Sequence, residues 1–214
     1  VSPSPEQWEE ITNLAANRGF TPMLDNAYMG FERGIEEDAF AVRLFAEKCP
    51  EVIVASSCSK NFAVYRERVG TISVVCQTAQ KAADVQTVIN SLTRKNYSMP
   101  PTHGPAIIDI ILHSDELTAL WRREVAGMRN RINGLRKTLS EKINAAGISR
   151  DFSFLQRQTG MFSFLGLSVG QVHRLKNEFS IYTVDSARIN VASFNESTID
   201  YFIDALSAVL EDSE

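Results

Sequence analysis

Three short apolar runs, two of them preceded by a helical pattern, constrain the fold of this chain more than any other feature. The clearest run, Val-Ile-Val-Ala at residues 52–55, is mostly β-branched and shows no polar alternation, which is typical of a strand buried on both faces. Similar runs lie at 20–24 and 69–76, and helical patterns precede the first two runs at 4–18 and 36–49. Helix followed by strand, repeated, predicts an α/β fold with a mainly parallel sheet.

The pattern changes after residue 115. One continuous apolar stripe at spacings of three and four predicts a long helix over residues 115–145. Beyond it we expect an α+β arrangement, with strands around Phe152 and Phe154 and at 161–165, 181–184 and 188–192, and helices at 168–179 and 196–210. We therefore predict a domain boundary inside the long helix, which gives domains 1–130 and 131–214.

Composition excludes several classes of protein. Charged residues make up 22% and hydrophobic residues 44% of the 214-residue chain, which is an ordinary globular balance. The apolar runs are far shorter than the roughly 20 residues that cross a bilayer. A net charge of −4 argues against nucleic acid or an anionic membrane as a partner. Three cysteines without CxxC spacing, Cys49, Cys58 and Cys76, argue against a disulfide framework or zinc site and predict a reducing, cytoplasmic location.

The first residues indicate a helix that begins abruptly. Ser4 is a predicted N-cap, Pro5 fits the first helical position and Gln7 completes a capping box. The chain begins at Val1 without Met or a signal peptide. These features predict a processed or truncated piece of a longer protein.

The densest polar cluster follows the predicted strand 52–55. It comprises residues 56–61 (Ser-Ser-Cys-Ser-Lys-Asn), at the strand end where open α/β sheets bind ligands. Lys60, flanked by hydroxyls, could form a Schiff base, and Arg68 could offer a planar fork to a phosphate. The alternative is a solvated loop with a surface lysine. His103, in a Pro-Pro-Thr-His-Gly segment, is open between a loop-packing residue and a ligand or base.

Asp25 follows the preceding predicted strand, one helix–strand unit before Lys60. In a parallel sheet, both residues would lie at the same edge. A carboxylate and a lysine in this relation suit a pyridinium cofactor, because the carboxylate keeps the ring nitrogen protonated while the lysine holds the aldehyde carbon.

Several ordered motifs carry a resemblance to a known family. They are Asp-x-Ala-Tyr-x-Gly-Phe at 25–31, Ser-Ser-x-Ser-Lys-Asn-Phe at 56–62, Tyr-x-Glu-Arg-Val-Gly at 65–70, Arg-Lys-Asn-Tyr-Ser at 94–98, Gly-Met-Phe-Ser-Phe at 160–164 and Ala-Arg-Ile-Asn-Val-Ala at 187–192. Together they closely resemble the class I aminotransferases, specifically the aspartate and aromatic amino acid enzymes. The resemblance spans essentially the whole chain. It implies the pyridoxal-phosphate-dependent fold-type I: part of the large domain at 1–130 and the small domain at 131–214.

The resemblance implies roles around pyridoxal 5'-phosphate. Lys60 resembles the lysine that forms the Schiff base and moves the substrate proton, and Asp25 resembles the partner of the pyridine nitrogen. Tyr28 resembles the donor to the phenolic oxygen of the cofactor. Ser57 and Arg68 resemble phosphate ligands. Met29 and Cys58 depart from the usual pattern of the family, but neither holds a catalytic role.

The resemblance also implies substrate contacts. Arg188 resembles the arginine that binds the α-carboxylate of the substrate, with a core ion pair as its alternative. Arg94 resembles the arginine that reaches across a homodimer interface to a side-chain carboxylate, with a plain surface residue as its alternative. Phe162 would line the substrate pocket.

The family's chain is nearly twice as long as this one, and its Gly-rich phosphate loop and ring-stacking aromatic are missing here. We therefore expect the C-terminal half of an enzyme that transfers amino groups between aspartate, glutamate or aromatic amino acids and 2-oxo acids, with the N-terminal half of the same polypeptide as a partner. A carbon–sulfur lyase of the same fold is the alternative within chemistry, and Arg94 argues against it. Outside catalysis, the sequence leaves open an inactive fragment or a non-catalytic aminotransferase-like module.

Overall fold

The computed structural model describes residues 2–211 and divides the chain into two compact units, Pro3–Ala126 and a second one from Gly127 onward. The elements of the first unit are α1 (Pro5–Arg18), β1 (Met23–Asn26), α2 (Ile35–Asp38), α3 (Phe40–Lys48), β2 (Val52–Ser57), β3 (Gly70–Val75), α4 (Ala79–Asn96) and α5 (His103–Leu112). Helix α6 (Asp115–Ala145) begins in the first unit and ends in the second.

Helix α1 has the ends that its sequence predicts. The Ser4 side chain accepts a hydrogen bond from the Gln7 amide, and the Gln7 side chain accepts one from the Ser4 amide, which completes the capping box. Gly19 ends the helix with a φ of 69°, a left-handed conformation that glycine adopts without steric cost. Local chemistry alone therefore determines both ends of this helix.

The sheet of the first unit has the order β1-β2-β3. Strand β1 runs parallel to β2, whereas β3 runs antiparallel to it. The connection between β2 and β3 contains no α-helix that would carry the chain to the far end of the sheet, and it returns the chain at Gly70 beside Ser57, as an antiparallel neighbour requires. Val52 and Val54 of β2 are buried against Ala15 and Phe45 of the flanking helices. The predicted α/β class is confirmed, although only one of the two pairings in this three-stranded sheet is parallel.

Two predicted elements of this unit differ from the structure. The first strand was expected at 20–24 but lies at Met23–Asn26. The helix expected at 36–49 is divided at Ala39 into α2 and α3. The carboxylate of Asp38 accepts hydrogen bonds from backbone amides of the preceding loop, so tertiary contacts hold α2 as a separate turn.

The second unit adds α7 (Phe154–Arg157), β4 (Phe162–Phe164), α8 (Val169–Phe179), β5 (Arg188–Asn190) and α9 (Glu196–Glu211). Strands β4 and β5 form an antiparallel pair. The core joins α6, α8 and α9 through fully buried residues such as Leu139, Leu175 and Leu206. The fold class expected for the C-terminal part is thus confirmed.

The expected strands around Phe152 and Phe154 and at 181–184 are wrong. Asp151 accepts a hydrogen bond from the Ser153 amide at 2.7 Å, and the Leu155 amide donates to Phe152, so the chain enters the helical turn α7. The segment 181–184 is irregular, since its Ile181 amide donates to the Leu175 carbonyl of α8 at 2.9 Å.

Candidate active site

The parallel pairing of β1 and β2 brings two groups of predicted site residues to one edge of the sheet. Asp25 is paired in register with Ala55, and Asn26 with Ser56. Tyr28 follows the end of β1 by two residues, and Lys60 follows the end of β2 by three. The side chain of Asp25 is exposed at this edge.

Lys60 and Tyr28 meet directly. The Nζ atom of Lys60 lies 4.6 Å from the centroid of the Tyr28 ring, a cation–π distance. The turn around Lys60 is closed by two backbone hydrogen bonds, from the Phe62 amide to Cys58 at 3.2 Å and from the Ala63 amide to Lys60 at 3.1 Å. The amine is therefore presented from an ordered turn rather than from a solvated loop.

Ser57 and Arg68 lie at the same end of the β2–β3 pair. Ser57 is paired with Gly70, two residues after Arg68. The Ser57 hydroxyl accepts a hydrogen bond from the Ser59 amide at 3.1 Å, and Nη1 of Arg68 donates to the Tyr65 carbonyl at 2.9 Å. Arg68 has a φ of 54°, a left-handed conformation that is uncommon for a residue with a Cβ and that recurs at functional sites.

The loop after Tyr28 is organised by a residue that sequence reasoning missed. The two oxygens of the Asp38 carboxylate accept hydrogen bonds from four backbone amides, those of Gly30 (2.8 Å), Glu32 (3.0 Å), Arg33 (2.9 Å) and Gly34 (3.3 Å). Asp38 lies in a run of acidic residues, Glu36-Glu37-Asp38, so its sequence context gave no signal that distinguishes it from a solvated helix face.

Arg188 and Phe162 come together in the second unit. Phe164 is paired with Arg188, and Phe162 with Asn190, across the β4–β5 pair. The guanidinium carbon of Arg188 lies 4.8 Å from the centroid of the Phe162 ring. Both residues line a cavity of about 620 Å³ that also includes Tyr182 and Tyr201. Its size suits a small organic ligand.

A buried arginine supports this strand pair and was also missed. Arg136 of α6 is only 3% exposed and donates to the Ser163 hydroxyl and the Gly160 carbonyl, on either side of Phe162. Burial lowers the pKa of its guanidinium. Among residues 2–211 both of its hydrogen-bond acceptors are neutral, and a buried cation with neutral partners carries a desolvation cost. The alternation of apolar residues and arginines along α6 gave no sign of which arginine is buried.

Arg94 and His103 stand apart from these clusters. Arg94 is exposed in the last turn of α4, and within residues 2–211 it makes no hydrogen bond or ion pair to another side chain. His103 begins α5, and its Nδ1 atom lies 2.8 Å from Glu67 Oε2. The described residues hold no group of three side chains suited to a metal ion. Of their helices, none is both long and apolar enough to span a bilayer.

The sequence matches the family described as "Aminotransferase class I and II" over residues 1–206. The chain belongs to this family, and its resemblance to class I aminotransferases is confirmed.

Curated relatives include an aspartate aminotransferase of Pseudomonas aeruginosa, which is 45% identical over 205 residues that cover 96% of this chain and 52% of that protein. An aromatic-amino-acid aminotransferase of the same organism is 44% identical over 209 residues, 98% of this chain and 52% of that protein. The chain therefore spans about half the length of the curated relatives it matches.

The solved structures most similar to this chain include aminotransferases, and the chain again matches about half of each. One of them is the aromatic-amino-acid aminotransferase of Burkholderia pseudomallei, covalently bound to pyridoxal phosphate. It superimposes on this chain with a TM-score of 0.95 at 46% sequence identity, and the match covers 98% of this chain and 53% of the Burkholderia chain. The enzyme of Psychrobacter sp. B6, cocrystallised with aspartic acid, gives 0.94 at 41% identity, with 99% and 53% covered. The fold-type I assignment is confirmed.

Proposed function

We propose that this chain is the C-terminal half of a pyridoxal-phosphate-dependent aminotransferase that moves an amino group between aspartate, glutamate or aromatic amino acids and 2-oxo acids. The observation that carries the proposal is the cluster at the shared edge of β1 and β2. Here Lys60 Nζ lies 4.6 Å from the centroid of the Tyr28 ring, and Asp25 of β1 pairs in register with Ala55 of β2. The named activities of relatives at 44–45% identity support it.

The donor set at this edge fits pyridoxal phosphate. The Lys60 amine is the group that would hold the cofactor aldehyde, and the exposed Asp25 carboxylate would keep the ring nitrogen protonated. Ser57 and Arg68, at the end of the β2–β3 pair, would bind the phosphate. When bound, the cofactor supplies an electron sink for the bond broken at the substrate carbon.

The remaining roles belong to the protein's own side chains. The Lys60 amine would also act as the base that moves the proton at the substrate carbon. The Tyr28 hydroxyl would donate to the phenolic oxygen of the ring. In the second unit, Arg188 would bind the α-carboxylate of the substrate with its planar fork, and Phe162 would hold that guanidinium in place through the contact at 4.8 Å.

Borohydride reduction of the cofactor-loaded, full-length protein tests the central assignment. Peptide mapping should find the pyridoxyl mass on Lys60, and the Lys60→Ala variant should carry no label. Lys81→Arg, which changes a lysine on α4, is the matched control and should be labelled like the wild type. A label on any other lysine would refute the role of Lys60.

We also propose a homodimer in which Arg94 serves the active site of the neighbouring subunit, and a cytoplasmic location. An exposed apolar stretch surrounds Arg94, with Val88 57%, Leu92 58%, Tyr97 55% and Met99 82% exposed, and such patches mark interaction surfaces. Free Cys49, Cys58 and Cys76 suit a reducing compartment.

Mixed dimers distinguish the two possible placements of Arg94. Full-length Lys60→Ala and Arg94→Leu subunits are unfolded together, refolded and assayed with aspartate. If Arg94 acts across the interface, each mixed dimer has one intact site, and about a quarter of wild-type activity should return. If Arg94 acts within its own subunit, mixing should restore nothing.

We further propose that residues 1–130 belong to the cofactor-binding large domain and 131–214 to the small domain. The compact units divided after Ala126 support this assignment. Native-state hydrogen exchange of the full-length protein should give different opening free energies for amides of residues 1–130 and of residues 131–214.

A further inference from the structure

Trp121 of α6 contacts the two residues that follow Lys60. Its indole Nε1 donates a hydrogen bond of 2.7 Å to the Asn61 carbonyl. Its ring stacks on Phe62 with centroids 4.4 Å apart and planes inclined by 8°. A directional bond and a stacked ring therefore act on one short turn.

The next turn of the same helix contacts the loop that carries Tyr28. Val125 is fully buried. A Cβ added at Gly30, whose φ is +94°, would lie 2.6 Å from Val125 Cγ1, so Gly30 lies against this side chain with no room for a larger residue. Helix α6 thus contacts the chain beyond Lys60 through Trp121 and the chain beyond Tyr28 through Val125.

We propose that Trp121 is a positioning residue, which fixes the turn at 58–63 so that the Lys60 amine is held beside Tyr28. This inference rests on the proposed function, because it concerns the lysine assigned to the cofactor. Asn61, whose carbonyl is held, is itself buried at 4% exposure, whereas Lys60 is only partly buried. The anchor therefore holds the backbone of the turn and leaves the amine accessible.

The chemistry explains why a tryptophan suits this position. A lysine side chain has four rotatable bonds, so its Nζ atom is placed accurately only if its backbone is fixed. A small displacement of a reacting group lowers the rate of the chemical step more than it lowers substrate affinity. Removing the indole donor should therefore reduce kcat while leaving KM unchanged.

The test uses the full-length protein and the variant Trp121→Phe, which keeps an aromatic ring for stacking but loses the N–H donor. The matched control is Trp8→Phe, which changes the tryptophan that packs edge-on against Phe45 at 6.1 Å. Hydrogen exchange of the cofactor-free proteins is measured at the Phe62 and Ala63 amides, which donate within the turn. Steady-state kinetics are measured on the loaded proteins.

We expect Trp121→Phe to exchange about fivefold faster at Phe62 and Ala63, and its kcat to fall by about the same factor at constant KM, as loss of one hydrogen bond predicts. Trp8→Phe should leave both quantities unchanged. Unaltered exchange at the turn in Trp121→Phe would overturn the proposal, as would an equal increase throughout the protein in both variants. If borohydride labels a lysine other than Lys60, the proposed function fails, while exchange at the turn still decides whether Trp121 anchors it.

Discussion

Replacing Ser163 by alanine should loosen the β4–β5 pair, whereas the same replacement at Ser140 should tighten its surroundings. Both hydroxyls belong to residues with no exposed surface. The Ser163 hydroxyl accepts a hydrogen bond from the buried guanidinium of Arg136. The Ser140 hydroxyl has no hydrogen-bond partner within residues 2–211. One chemical change therefore removes a satisfied group at one site and an unsatisfied group at the other.

The magnitudes follow from these environments. A buried hydrogen bond to a charged group is worth about 1.5–3 kcal/mol, and Ser163→Ala also leaves an Arg136 donor unpaired. We expect a loss of about 2 kcal/mol. Ser140→Ala removes an unpaired polar atom from the interior of α6 and adds the better helix propensity of alanine, so we expect a gain of about 1 kcal/mol.

Native-state hydrogen exchange of the full-length protein measures both effects locally. The Leu165 amide donates to Ala187 at 3.0 Å and the Val191 amide donates to Met161 at 2.8 Å, so these amides flank the strand pair. In Ser163→Ala these amides should exchange about thirtyfold faster, whereas in Ser140→Ala the amides of α6 on either side of residue 140 should exchange several-fold slower. Equal rates in wild type and Ser163→Ala, or the same loss in both variants, would refute the reasoning about Arg136.

Asp25→Asn in the full-length protein should keep the cofactor but lose most turnover, because the ring nitrogen loses the partner that holds its proton; near-normal turnover would contradict this role. Arg94→Leu should impair aspartate and glutamate by about 3–5 kcal/mol more than phenylalanine or tyrosine, through an unpaired carboxylate, and equal losses in kcat/KM would exclude Arg94 from the side-chain pocket. Burial raises the pKa of the Cys58 thiol, so iodoacetamide should modify Cys58 more slowly at pH 8 than it modifies free cysteine. The rate should increase only when the pH exceeds the usual pKa of a thiol, as peptide mapping across a pH series would measure. Residues 1–214 produced alone should self-associate through exposed residues such as Met23 and Ile72 and bind pyridoxal phosphate weakly; a monomeric, active product in size-exclusion chromatography would refute this expectation.

The sequence was sufficient to predict an element where its ends or its buried face depend on local chemistry. The capping box of Ser4 and the uninterrupted stripe of α6 predicted both helices with nearly the observed bounds. The shared edge of Asp25 and Lys60 followed from parallel pairing alone, and β1 and β2 do pair in parallel.

The features that could not be predicted from the sequence depend mostly on contacts outside the local segment. The break at Ala39 accompanies hydrogen bonds that the Asp38 carboxylate accepts from loop amides up to eight residues away. The anchor of the Lys60 turn comes from Trp121, sixty residues after Asn61. Helix α4 was not predicted, although Thr78 caps it by accepting from the Lys81 amide. Its apolar residues Val85, Val88, Ile89 and Leu92 follow the helical spacing i, i+3, i+4, i+7, so the sequence itself carried a signal for this helix.

The connection between β2 and β3 limits which insertions and deletions this chain can tolerate. It is closed at its base by the pairing of Ser57 with Gly70 and by the Cys58 amide, which donates to Val69 at 3.0 Å. A side chain at Gly70 would place its Cβ 2.6 Å from the Ser56 carbonyl oxygen, so a residue larger than glycine does not fit at the position that closes the connection. A residue gained or lost between Ser57 and Lys60 should move the Lys60 amine away from Tyr28, because the turn at 58–63 sets its position. Among related sequences, insertions and deletions should therefore occur elsewhere, such as at 97–102, while the β2–β3 connection keeps a constant number of residues.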